Sequence, residues 1–244
     1  MKPSTLRTLV LLTALLIGVG FALVFFYASN EADQGFIQKI FYLHVPLAIM
    51  ALIGFVAGGV FAILHLRSND RKWDAYSYVA IHISVIFGVA VLITGAIWAK
   101  ASWGHWWEWN EPTLVSFLIV FLLYATYYPF RYAIEDKDRQ ARYASVFAVT
   151  AGAFVPLNFI AVRLAETLVH PRVFATSEGG LTAKMMITFL ICFAGMALLW
   201  ETLVRFELAA KSSRARIGRL RRALEGDETA PAGSRIAPVP REAG

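Results

Sequence analysis

Charge is what this chain of 244 residues has least of: 16% of residues are Asp, Glu, Lys or Arg, against 58% that are hydrophobic. A soluble domain carries about 25% charged residues, so an ordinary soluble fold is excluded, and the long uncharged runs belong in lipid. Cysteine is nearly absent too: Cys192 is the only one, and it sits inside an apolar run. A CxxC redox pair, a CxxCH haem attachment and a cysteine zinc site are therefore excluded, and Cys192 reads as a small core residue. The sequence has no GxxxxGK[ST] phosphate loop, no internal repeat and no soluble domain. A net charge of +6 raises nucleic acid as a partner. The cations are instead distributed as membrane orientation demands, and no nucleic acid is expected.

Six uncharged runs are present, and helix is the economical way for each to cross lipid because it satisfies its own backbone hydrogen bonds. They run from Leu9 to Ala28, Phe41 to Leu66, Ala75 to Ala99, Pro112 to Phe130 and Tyr143 to Val162, with the last from Met185 past Glu201 toward Leu208. Lys2 and Arg7 precede the first run as they would in a secretory signal. The run is longer than the apolar stretch of a signal, so a retained span is expected. The sequence predicts an all-α membrane protein with six transmembrane helices and a Trp-rich outer loop between helices 3 and 4. Residues 1–208 form the transmembrane domain. Residues 209–244 form a cytoplasmic tail, basic to Arg222 and suited to anionic membrane lipid, then rich in Ala, Pro, Gly and Glu and expected to be disordered.

Lys and Arg orient the chain. Of the 23, only Lys39, Lys100, Arg163, Arg172 and Lys184 fall on one side of the six runs, and the other 18 fall on the opposite side or in the two termini. The positive-inside rule puts both termini in the cytoplasm and the three poorly charged loops outside.

Those outer loops hold the unusual residues. Trp98, Trp103, Trp106, Trp107 and Trp109 are five of the protein's seven tryptophans. An aromatic belt spreads its tryptophans over many helix ends, whereas these are concentrated in one segment. On a helix Trp103, Trp106 and Trp107 share a face, which predicts a flat apolar shelf for a planar ligand, with a belt or a partner contact as the other reading. His44 lies two residues before Pro46 at the outer start of helix 2, and His170 precedes Pro171 in the last outer loop. Taken singly, each is more readily an interface residue than a ligand. Two outer histidines flanking a Trp segment point to haem iron, for which neutral imidazole is a common axial ligand. His105 lies within the Trp segment, and His65 and His82 lie near the cytoplasmic ends of helices 2 and 3. Lys100, Arg163 and Arg172 line the outer side; Arg163 could pair with Glu166 or equally meet an anionic group such as a propionate.

The segment from Trp98 through Trp103, His105, Trp106, Trp107 and Trp109 to Asn110 resembles the tryptophan-rich "WWD" signature of haem-handling proteins in cytochrome c biogenesis. Phe41-Tyr-Leu-His44-Val-Pro46 and Glu166-Thr-Leu-Val-His170-Pro171 resemble the two histidine motifs that flank it. The Trp motif alone marks the superfamily. Its place between spans three and four of a six-span chain resembles the CcmC, or haem exporter protein C, family over roughly the first 208 residues. The signature commonly ends in Asp, where this chain has Asn110 followed by Glu111.

The resemblance implies a cell inner membrane protein that holds haem at the outer face and presents it to the haem chaperone CcmE, working with CcmA, CcmB and CcmD. It implies haem b, bound non-covalently between His44 and His170. The Trp loop would cover the porphyrin and touch the chaperone, and Lys100 and Arg172 would be candidates for the propionates. No independent enzymatic activity is implied; the chain positions haem for covalent attachment to the chaperone. Two rivals are a haem transporter, which needs polar residues at mid-membrane such as Asn158, and a b-type electron-transfer protein, which would use His65 and His82.

Overall fold

The computed structural model describes residues 3–31, 34–164 and 181–224. It is an all-α membrane protein. Helix α1 is Pro3–Phe26, α2 Phe41–Ser68, α3 Arg71–Trp103, α4 Pro112–Tyr132, α5 Lys137–Leu164 and α6 Ala183–Leu224. Each contains a stretch long and apolar enough to cross a membrane. A 3₁₀ turn, Phe36–Ile40, runs directly into α2.

The helices outrun the uncharged runs of the sequence because polar residues cap them rather than stop them. Asp70 is the N-cap of α3 and accepts a hydrogen bond from the Lys72 amide, so the helix begins at Arg71 instead of Ala75. That hydrogen bond holds the Asp70 carboxyl below the usual range. At the other end α3 continues through Lys100 to Trp103 and stops at Gly104, whose φ of 83° is one that glycine adopts without strain. Helix α6 continues unbroken through residue 208, the sequence-level domain boundary, to Leu224. Residues 225–244 lie outside the described residues.

Helices α2 and α3 pack closely, as do α2 with α5, α4 with α5, and α1 with α6. The centre is marked by the Phe55 ring stacked on Tyr124 at 4.0 Å, with the Tyr124 hydroxyl donating to the Phe55 carbonyl at 2.9 Å. Helix α1 rests on α6. Gly20 lies against Cys192, and the Thr13 and Thr202 hydroxyls meet at 2.8 Å. Small residues let helices approach in lipid, where association depends on close contact rather than on the hydrophobic effect.

At the end of the bundle that carries most of the arginines, α3 and α4 are clamped together. Arg131 donates to both carboxylate oxygens of Asp74 at 2.7 Å and to the Tyr127 hydroxyl at 2.8 Å. Its guanidinium also lies over the Tyr78 ring. By sequence Arg131 follows the fourth uncharged run and falls in the loop after it, but it is buried in the last turn of α4. A charge there requires a paired, hydrogen-bonded partner, and one 57 positions away is not visible in local pattern.

Candidate functional site

At the opposite end, that of the tryptophans, the four helices α2, α3, α4 and α5 surround an open cavity of about 220 Å³. Its walls are almost wholly apolar. His44, Trp98, Trp103 and Trp107 line it together, with Asn158 and Gln34 among its few polar groups.

His44 sits in the first turn of α2, and Pro46 beside it deprives the Tyr42 carbonyl of its intrahelical donor. The ring is oriented by α3. Its Nδ1 is 2.9 Å from the Thr94 hydroxyl, which itself donates to the Ala90 carbonyl at 2.7 Å. A hydroxyl has one proton, so with that proton on Ala90 the imidazole must donate through Nδ1, and Nε2 carries the lone pair. The edge of the ring meets Trp98 at 5.8 Å, and Gly95 lies so close that a Cβ there would be 2.9 Å from the His44 Cε1.

Trp98 is fixed in turn. It packs edge-on to Phe41 and its Nε1 donates to the Gln34 side chain at 2.8 Å. The Trp107 Nε1 is buried and has no hydrogen-bond partner among the described residues, a cost of about 1–3 kcal/mol for a polar group left so.

The tryptophans do not form one shelf. The helix ends at Trp103, and the turn after Gly104 sends the remaining rings in two directions. Trp103 and Trp107 turn into the cavity, whereas Trp106 and Trp109 are 59% and 71% exposed. The helical spacing that would align Trp103, Trp106 and Trp107 holds only while the helix lasts. Lys100 donates to the Gly104 carbonyl at 2.6 Å, at the end of its own helix. His105 pairs with Glu108, and Asn110 donates to the same carboxylate. Glu111 is fully buried as the N-cap of α4, accepting from the Thr113 amide, so the acidic residue after Asn110 anchors the helix that walls the cavity.

His170 and Arg172 lie outside the described residues. Thr94, Gly95 and Gln34 were missed by the sequence analysis: each is ordinary in its own segment and matters through the side chain it meets. Asn158, considered there only for a transport path, lines the cavity and donates to the Ser116 hydroxyl. At the arginine end His65 is hydrogen-bonded to Ser145 at 2.8 Å and His82 to Tyr128 at 3.1 Å, which gives each a structural role.

The family model described as "heme exporter protein C" matches residues 1–223. Proteins named "heme exporter protein C" are similar to this chain in Paracoccus denitrificans, at 29% identity over 80% of this chain and 81% of the relative, and in Haemophilus influenzae, at 28% over 81% of each. A "putative cytochrome c biosynthesis ccmC-like mitochondrial protein" of Marchantia polymorpha is 28% identical over 68% of this chain and 70% of its own length.

Proposed function

Because the chain belongs to the heme exporter protein C family, we propose that it is a haem-handling membrane protein of cytochrome c biogenesis whose haem occupies the cavity between α2, α3, α4 and α5. The observation that carries this reading is His44: an imidazole oriented by Thr94 at 2.9 Å on the wall of an apolar cavity beside three tryptophans. A porphyrin needs flat apolar walls and its iron needs an axial nitrogen, and this cavity supplies both. Haem is the cargo, and the protein binds and orients it.

In this reading His44 is one axial ligand, and His170, on the connection between α5 and α6, is the other. Trp98, Trp103 and Trp107 contact the porphyrin. Trp106 and Trp109 are left as exposed aromatic anchors for a receiving protein, the role the resemblance gives to CcmE. Lys100 and Arg172 are the candidates for the propionates, and CcmA, CcmB and CcmD complete the assembly. The 18-to-5 division of cations favours cytoplasmic termini and an outward-facing tryptophan end in the inner membrane. Domain limits at 1–208 and 209–244 remain part of this proposal, with α6 bridging them.

The test is the absorption spectrum of the purified protein loaded with haem. A low-spin, b-type band that is lost or loosened in His44→Ala and in His170→Ala, and restored by imidazole, is the expected result. A band unaffected by either substitution would remove the cavity as the haem site.

A further inference from the structure

The cavity is ringed by four helices, and three of their four contacts are close: α2 with α3, α2 with α5, and α4 with α5. The fourth, between α3 and α4, is sparse. It is also uneven along its length. From Val120 onward α4 buries Val120, Tyr124, Tyr127 and Arg131, one side chain per turn. From Pro112 to Leu118, two full turns, no α4 residue is buried. Helix α3 shows the same change: after Val91 its next buried side chain is Trp98.

The contacts between α3 and α4 are concentrated toward the arginine end. Arg131 chelates Asp74, the Tyr78 and Tyr132 hydroxyls meet at 3.0 Å, and His82 bonds Tyr128. The two helices still approach closely at Gly88, where a Cβ would lie 2.8 Å from the Phe121 ring. Beyond it, toward the tryptophan end, Leu92, Ala96, Ala99 and Trp103 follow one another at helical spacing on α3, and Leu118 and Leu114 continue the Phe121 face of α4. Leu92 and Leu114 both line the cavity. The two helices are fastened at the arginine end and bury less against each other toward the tryptophan end.

We infer that haem reaches the cavity sideways, from the bilayer hydrocarbon, through the seam between α3 and α4 above Gly88 and Phe121. The inference rests on the haem reading of the cavity. A close-packed wall admits no ligand without displacement, whereas a seam of half-buried apolar side chains opens by small shifts of one helix end. The flat apolar ring is at home in the lipid that covers this face, and it would cross no polar barrier on the way to His44.

Counting antiparallel from Gly88 opposite Phe121 brings Ala96 level with Thr113 and Leu114, so cysteines at Ala96 and Leu114 span the seam. In a Cys192→Ser background, Ala96→Cys with Leu114→Cys is bridged by a flexible, thiol-cleavable bis-alkylating reagent in nanodiscs. Haem is then supplied from haem-bearing vesicles while the Soret band is followed. The bridged protein should load more slowly by on the order of tenfold or more, because binding now waits on a blocked motion, and cleavage of the bridge should restore the rate of the unbridged protein. Equal rates with and without the bridge overturn the lateral route and assign entry to the aqueous rim. Ala96→Trp fills the seam without altering a cavity-lining side chain, and it should slow loading to the same final band; a wild-type rate overturns the route independently. His44→Ala, run in parallel, distinguishes the two levels: loss of the band there with unhindered loading of the bridged protein means that the site is right and the route wrong.

Discussion

Gly95→Ala puts one methyl group against the candidate ligand. Its Cβ would lie 2.9 Å from the His44 Cε1, 3.6 Å from Nδ1 and 3.7 Å from Nε2. Carbon atoms settle at about 3.5–4.0 Å, so the ring must retreat by roughly 0.6 Å or more. It has little room to do so, being held by Thr94 at 2.9 Å and bounded by Trp98. Metal–ligand distances tolerate about 0.2 Å, and overpacking of this kind costs about 1–3 kcal/mol. At a factor of ten per 1.4 kcal/mol, haem affinity should fall roughly 5- to 150-fold. The same substitution favours the helix itself by about 1 kcal/mol, because alanine restricts the backbone where glycine does not. Haem titration followed at the Soret band should show weaker binding, while thermal unfolding of the haem-free protein reports the net of overpacking against the helix gain. Gly18→Ala, with nothing within 4 Å of the new Cβ, is the control. Wild-type affinity in Gly95→Ala would refute the assignment of His44 to iron.

Thr94→Val removes the acceptor that fixes the His44 tautomer and should weaken haem binding by about 10- to 100-fold, read by the same titration. Arg131→Met leaves the Asp74 carboxylate buried without its partner and should cost about 3–5 kcal/mol in unfolding stability, whereas Asp74→Leu with Arg131→Met should recover much of it; a single substitution as mild as the double would show that the pair is solvated. Trp107→Ala should lower haem content, while Trp106→Ala with Trp109→Ala should preserve haem content and reduce haem transfer to the chaperone, measured as covalent haem on CcmE; full transfer would leave the exposed pair as an interfacial belt. In a Cys192→Ser background, Trp107→Cys should react with impermeant thiol reagents added from the periplasmic side, and reaction from the cytoplasmic side alone would invert the orientation.

The spans were legible because a membrane helix must be apolar over its whole length, and charge marks its ends. Helix α2 begins at Phe41 as its uncharged run does. Charge was a poor guide where a side chain caps or is paired: Asp70 starts α3 four residues early, and Arg131 is inside the bundle rather than in a loop. The candidate site was half legible. His44 and the tryptophan segment stand out by residue type. The orientation of His44 does not, because it depends on Thr94 and Gly95 of another helix, some 50 positions away, and no periodicity reports which residue of α3 faces which residue of α2. The division of the tryptophans between cavity and surface turns on Gly104, a single residue with φ of 83° that ends the helix on which the shelf was to stand.

The Thr13–Thr202 contact has a consequence for how the protein is made. These residues are 189 positions apart, and α1 finds its main partner in α6, the last of the six described helices. At about 5–20 residues per second, ribosomal synthesis leaves α1 in the lipid for roughly 10–40 s before Thr202 exists. During that interval its hydroxyl is restricted to the Leu9 carbonyl of its own helix, and Gly20 presents a bare notch to acyl chains. The bundle closes only when its first and last helices meet, so a chain truncated before α6 would leave α1 inserted but unmated. Such a chain is the form a membrane quality-control protease would meet with a loose helix to seize.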